Sequence, residues 1–419
     1  MSSFRIRLSV LTAFFLRLMI APWGRHSDCD NFFYWSKYLW EKKDFLGFLG
    51  KAVPNAMPAI YPPIFYYLIF LWRGLYELLG QILWQLNLKV SIFPSNLIIW
   101  YQSYQAAVAF NKLPAIICDF ACAFLIYNIS RLIGAKEKLA AVVAMLFLFL
   151  PPFWYNSAHW GQIDSLYSFP ILLAFYFVLK NNFLLGTFSL AFSALIKPTG
   201  LFVLPAFLIY SFRKKKMVDL LIGLIFFLLL AFILYFPFQP LNTLPWAINF
   251  YLDSFRGETN YFVSNAFNLW SFLFGFDQRS PDVLFAGFPL SLWGFALFSF
   301  FGGIVSLRQW QNFTKKSLIY AAALLSFASF LFLPRIHERY FYTAALFLAI
   351  LASLNKKMLY LFIVLSVIHQ INLYHFWWSP KIPFLITLFS NLTVLRLVIF
   401  LNLAIFVKLW VGYVKHETA

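Results

Sequence analysis

Long apolar runs separated by short polar connectors set the pattern of this chain. LSVLTAFFLRLMIAP (8–22), LAAVVAMLFLFL (139–150) and DLLIGLIFFLLLAFILYF (219–236) are continuous stretches of helical length, without the alternation of a barrel strand. In lipid every backbone polar group needs an internal partner, and helices satisfy that need within one segment. Counting runs against the ~20 residues that cross a bilayer predicts an all-α polytopic bundle of about twelve spans, at 8–22, 112–133, 138–155, 165–180, 183–197, 199–212, 217–237, 287–307, 317–334, 340–354, 357–374 and 386–411. The pair 183–197 and 199–212 reads as a hairpin broken at Lys197-Pro198.

One segment has a different character. YPPIFYYLIFLWRGLYELLG (61–80) places Arg73 and Glu77 four residues apart on one helical face among Trp and Tyr. It is predicted as an interfacial amphipathic helix; were it to cross, LIIWYQSYQAAVAF (97–110) would have to cross as well to keep the later parity. This leaves two long connectors, 23–111 and 237–288, on one side. No repeat or low-complexity tract interrupts the chain, which reads as a single domain over 1–419.

Composition agrees: 62% of residues are hydrophobic and 11% charged, against about half and a quarter in soluble domains, with a mean hydropathy of +0.76. The net charge of +18 comes mainly from clusters between apolar runs, at Arg5/Arg7, 131–138, Lys180, 213–216, 308–316, Lys356/Lys357 and Lys415. Such clusters orient a membrane chain and mark the inner side; they do not indicate nucleic acid. Cys29, Cys118 and Cys122 are too few and odd in number for a disulfide framework. The N-terminal run lacks a clean small-residue cleavage site and is expected to stay as the first span. Sequons at Asn128, Asn312 and Asn391 fall within or on the inner side and read as accidental.

With this topology the chemically versatile residues gather on the outer side. HSDCDNFFYW brings Asp28 and Asp30, HWGQIDS brings His159, Trp160, Gln162 and Asp164, the broken hairpin brings Lys197, and PRIHERY brings Arg335, His337, Glu338 and Arg339. Ionisable groups near a membrane are costly and are functional candidates. A carboxylate there can serve as a general base toward a hydroxyl, or either Asp28 or Asp30 can cap the helix that follows. Asp-Cys-Asp also has the form of a metal-binding DXD, but two oxygen ligands do not define a metal. HWGQIDS suits a sugar pocket or a polar loop in which Asp164 or Ser165 caps a helix. The Arg-His-Glu-Arg group suits a phosphate, which arginine meets with a planar fork. Lys197 is a second phosphate candidate or a snorkelling side chain.

The ordered set of SDCDNFFYW, Tyr61-Pro62-Pro63, Lys112-Leu113-Pro114, NSAHWGQIDS, LIKP and PRIHERY resembles the GT-C superfamily of polyprenyl-phosphate-sugar-dependent glycosyltransferases. The likeness is to bacterial membrane mannosyltransferase-like proteins related to the enzyme that adds the second mannose of GPI anchors, and more distantly to dolichol-pathway glucosyltransferases; it thins after about residue 350. It implies inverting transfer of a hexose, mannose favoured, from a polyprenyl-phosphate donor to a hydroxyl of a glycan, glycolipid or protein acceptor. The transfer would occur outside the cytoplasm of a bacterial inner membrane, or less readily in the endoplasmic reticulum, without a required metal or other cofactor. It further implies Asp28 as the base, Trp35, Asp30 and Tyr61 in the first outer loop near substrate, HWGQID facing sugar and acceptor, and His337, Glu338 and Arg339 near the donor phosphate. Competing readings are a transporter or flippase of lipid-linked sugars, a polymerase or ligase of the same superfamily using a diphosphate-linked donor, and an inactive scaffold.

Overall fold

The computed structural model describes residues 3–256 and 261–415; positions 257–260 of the second long connector lie outside the described residues. The chain is an all-helical membrane bundle. In order it forms α1 (Ser3–Ile20), α2 (Ser27–Lys42), α3 (Pro63–Lys89), α4 (Ser95–Tyr101), α5 (Tyr104–Leu132), α6 (Glu137–Phe149) and α7 (Pro151–Trp154), with a π-helical turn at Tyr155–Trp160. Then come α8 (Asp164–Leu179), α9 (Phe183–Ile196), a 3-10 turn at Pro198–Val203, α10 (Leu204–Arg213), α11 (Met217–Tyr235), α12 (Thr243–Arg256) and α13 (Leu269–Phe274). A two-residue hairpin, β1 (Leu284–Phe285) with β2 (Phe288–Pro289), leads into α14 (Leu290–Gln311), α15 (Lys315–Phe332), a 3-10 turn at Glu338–Tyr340, α16 (Phe341–Ala352), α17 (Lys356–Phe376), α18 (Pro383–Phe389) and α19 (Leu392–Val414).

Among the described residues six helices, α5, α11, α14, α15, α17 and α19, are long and apolar enough to cross a membrane. Helix α6 with Pro151–Trp160, bent by 49°, makes a seventh candidate if the bent pair is one span rather than a re-entrant loop. The twelve apolar runs therefore exceed the helices that meet this length. The run at 165–180 forms the shorter α8 and 183–212 forms α9 followed by Pro198–Arg213, while 340–354 forms α16, whose twelve residues are all buried. Hydropathy reports removal from water, and a helix enclosed by other helices satisfies it as well as one that crosses lipid. The predicted break at Lys197-Pro198 is present, with Lys197 ending α9 in an extended conformation. Segment 61–80 is helical and runs on to Lys89; with Arg73 and Glu77 at its middle it is not among the six. Its exposed Leu71, Leu75, Leu78 and Ile82 form one apolar stripe, as an amphipathic helix requires.

The centre of the bundle is α15 and α16. The apolar window of α15 is 89% buried against 11% for the peripheral α11. Helix α16, at 12 residues, is six shorter than α15 at 18, a difference of about 9 Å at 1.5 Å per residue. The connector between them sinks into the bundle to meet it, leaving Glu338 fully buried. Helices α2 and α3 pack a second apolar core, with Phe32, Trp35, Phe48, Tyr61, Phe65 and Tyr66, against that same end of the bundle.

Candidate functional site

Helix α2 starts at Ser27, and His26 is its N-cap: the Nδ1 atom accepts from the Asp28 amide at 3.1 Å. Neither aspartate caps it, contrary to the simplest sequence expectation. Asp28 and Asp30 are two residues apart, about 200° around a helix, so they meet different partners. Asp30 pairs with Arg25 at 3.2 Å and accepts from the Tyr104 hydroxyl, and the Arg25 guanidinium lies 4.7 Å from the Tyr104 ring centre. The two carboxylates do not converge as a metal pair would. No three His, Cys, Asp or Glu side chains gather as a metal site among the described residues.

Asp28 meets the HWGQID arm. Its Oδ2 accepts from the Gln162 amide and from the Trp160 indole at 3.4 Å, and lies 3.1 Å from His26 Nδ1. Oδ1 carries no hydrogen bond among the described residues, and 26% of the Asp28 side-chain surface is open. Burial pushes this carboxyl upward, but His26 beside it, the charge of Arg339 and the hydrogen bond from Gln162 outweigh it, and the group sits well below the usual carboxylate range. The result is an ionised carboxylate held on one oxygen and open on the other.

The arm is positioned by backbone geometry and one buried cation. The π-helical turn closes at Gly161, φ +87°, where an added Cβ would stand 2.5 Å from Cys29 Sγ. Lys112, on α5 and nearly inaccessible, donates to the carbonyls of Ala21, Gly24, Ala158 and His159 at 2.7 to 3.1 Å. It ties the α1–α2 connection to the end of the π turn, so that Trp160 and Gln162 lie over Asp28. Trp160 is further clamped by Phe376, stacked at 5.3 Å, and His159 bonds Ser379 at 3.0 Å beside the Trp377 ring.

The PRIHERY segment carries the second group of charges. Arg339 Nη1 donates to Glu338 Oε1 at 3.1 Å, and His337 stands 3.8 Å from Glu338 Oε2. Burial raises the Glu338 carboxyl, yet His337 and Arg339 together hold it below its ordinary value. Arg339 is also near enough for its charge to act on Asp28. Several polar atoms here are buried without a hydrogen-bond partner: Glu338 Oε2, Arg339 Nε, both ring nitrogens of His337 and both of His369. His369, on α17, lies 5.2 Å from the ring of Phe341, the residue after the Glu338–Tyr340 turn. Native interiors leave few such atoms, and each calls for a partner such as a ligand or water.

No protein-family model and no curated protein matches this sequence.

Lys197 lies among three tyrosine rings, those of Tyr340 at 4.6 Å and of Tyr61 and Tyr167 at 5.6 Å. Two spaces flank the chain break it occupies. A cleft of about 290 Å³ is lined by Tyr61, Lys197, Asn249 and Asp253. An almost wholly apolar trough of about 410 Å³ runs between α9, α10 and α11, from Ala194 and Leu201 to Phe212 and Met217.

The structure thus joins Asp28, Trp160 and Gln162, gathers Arg339, Glu338 and His337 with the charge of Arg339 reaching Asp28, and places Lys197 with Tyr61. It separates others. Trp35 is buried in the α2–α3 core with its indole bonded to the Met57 carbonyl. Asp164 is fully buried and accepts from Asn156 and Tyr167. Arg335 turns the chain at φ +59° and bonds the Phe262 carbonyl through its amide. Sequence reasoning missed His26, His369 and the anchoring role of Lys112. For Lys112 a signal existed, a lysine opening an apolar run.

Proposed function

We propose that the protein is a glycosyltransferase moving a hexose from a polyprenyl-phosphate sugar to an acceptor hydroxyl. The observation that carries the reading is an ionised Asp28, with Oδ1 free of hydrogen bonds among the described residues, within reach of the charge of a buried Arg339–Glu338–His337 group that has unfilled hydrogen-bonding capacity. In this reading Oδ1 takes the acceptor proton while the anomeric carbon passes from phosphate to acceptor with inversion. The departing phosphate is received by Arg339 and His337, with Lys197 nearby, where developing charge is stabilised most. A phosphate leaving group needs no second carboxylic acid, unlike a glycosidic oxygen. The apolar trough between α9 and α11 suits the isoprenoid tail, because it begins beside Lys197.

A carboxylate held so low is a poor base on its own. Binding of the donor supplies Arg339 with a phosphate partner and weakens its pull on Asp28. The base then strengthens only when the donor is in place, which limits wasteful activation of water. The finer architecture implied by the GT-C resemblance, about twelve spans with the site outside the cytoplasm of a bacterial inner membrane, belongs to the same proposal.

The test is release of polyprenyl phosphate from a panel of labelled polyprenyl-phosphate sugars, in membranes carrying the wild-type chain or Asp28→Asn. Turnover of one donor that Asp28→Asn abolishes supports the reading. Movement of labelled lipid across the bilayer without phosphate release sinks it in favour of a transporter. That second reading draws on one observation, the Arg17–Asp119 ion pair within the bundle, since transporters place polar groups at membrane depth.

A further inference from the structure

A second elongated space lies away from the Asp28 site, between α13, α15, α17 and α19. It measures about 750 Å³. One end is apolar, walled by Leu269, Phe272 and Phe400; the other holds Asn355, Lys357 and Lys408. The ends correspond to the two ends of the helices. Asn355 caps the start of α17, and near the finish of α19 Tyr413 bonds Ser317, at the start of α15, at 2.6 Å. Asp28 and Glu338 belong to the far side, since α15 and α17 both run away from this end.

The charge at this end is one-sided. Lys315, Lys316, Lys356, Lys357, Lys408 and Lys415 gather there, while α13, α15, α17, α19 and the α16–α17 connector contain no Asp or Glu. Lys357 and Lys408 are exposed and form no ion pair among the described residues. Lysines at a helix end can snorkel singly into water. Here two lysines from neighbouring helices border one trough whose remaining wall is largely apolar. A pair of cations above an apolar channel is the form of a site for a lipid with an anionic head.

We infer that this trough binds an anionic glycerophospholipid, with its acyl chain along Phe272 and Phe400 and its phosphate between Lys357 and Lys408. The site is independent of the transferase reading, and the other lipid of this kind, a polyprenyl phosphate, is assigned to the other end of the molecule. Bound lipid fills a gap between the centre of the bundle and α19, and so ties the last helix to α17.

The experiment titrates the full-length protein, delipidated in neutral detergent, with phosphatidylglycerol or phosphatidylcholine of equal chain length, and counts bound lipid by native mass spectrometry. The expected result is at least tenfold tighter retention of phosphatidylglycerol. Lys357→Gln with Lys408→Gln removes that preference, whereas Lys315→Gln with Lys316→Gln, the same charge loss outside the trough, leaves it. Ala404→Trp fills the trough with all lysines in place, and also loses the lipid. Equal retention of the two lipids, an equal effect of the control pair, or lipid binding that survives Ala404→Trp overturns the site. Displacement of phosphatidylglycerol by low concentrations of undecaprenyl phosphate overturns the assigned occupant.

Discussion

Two buried groups of charges in this molecule behave differently. At the heart of the bundle Asp119 has both oxygens engaged: Oδ1 accepts from Tyr342 at 2.6 Å, and Oδ2 from Ser157 at 2.5 Å and Arg17 at 3.2 Å. Arg17 also donates to the carbonyls of Ala13 and Leu148. The second group, around Asp28 and Arg339, leaves Asp28 Oδ1 open and several atoms of His337, Glu338, Arg339 and His369 without partners. The first group has all its polar atoms but Arg17 Nη2 engaged, and they hold α1, α5, α16 and the π turn together. The second keeps bonding in reserve. A buried charge is therefore informative less by its depth than by which of its lone pairs and hydrogens remain unfilled.

That contrast can be broken by measurement. The largest effect is on turnover: Asp28→Asn lowers kcat by about 10²- to 10⁴-fold, the usual worth of a positioned general base, with the thermal unfolding of purified protein unchanged. A matching loss of stability would place Asp28 with the structural group. Asp119→Ala does the reverse. It leaves Arg17 buried and unpaired, at a cost of about 3–5 kcal/mol, read as a lower midpoint in denaturant; kinetics that change while the midpoint holds would dissolve the distinction.

Lys112→Met lies between the two, since this cation anchors the strand of chain that carries the site. Its loss costs about 2–3 kcal/mol and lowers turnover with it, both read on the same preparation. The pH profile is subtler. The carboxyl of Asp28 is depressed, so the ionised form survives acid, and kcat/KM for the free enzyme has no acidic limb above about pH 4. Replacing His26 with Ala and Gln162 with Leu removes two groups that favour the ionised form. The pKa rises, and activity is then lost as the pH falls through the raised value. An unchanged profile in this double variant would remove these two residues from the control of the base. Smallest is Trp35→Phe, which forfeits one indole bond to Met57 at about 1 kcal/mol and leaves turnover intact; a kinetic defect would return Trp35 to the site.

Much of this was legible before any coordinates, and the reasons are physical. The helical architecture follows from apolar runs, and the amphipathic character of 61–80 from Arg73 and Glu77 among aromatics. The polar set in HWGQIDS and PRIHERY stands out because polar groups are scarce in this chain. Other features depend on distance in sequence: Arg17 and Asp119 are 102 positions apart, and no local pattern pairs them. Lys112 is satisfied by main-chain carbonyls, which carry no residue identity. Only the resemblance ranks Asp28 above Asp30 in sequence, and the physical difference comes from the rotation of the helix, with Gln162 arriving at one and Tyr104 at the other.

Helix α16 carries a consequence for biogenesis. Twelve residues make a rod of about 18 Å, short of the ~30 Å hydrocarbon layer, and every one of them is covered by protein. As the chain leaves the ribosome this segment has no stable place of its own in lipid. Its cover comes chiefly from α15 and α17, so the turn bearing Glu338 and Arg339 is expected to reach its buried position only when these three helices close together. Assembly of the bundle and completion of the site are then one event, and a chain stalled before α17 would present neither.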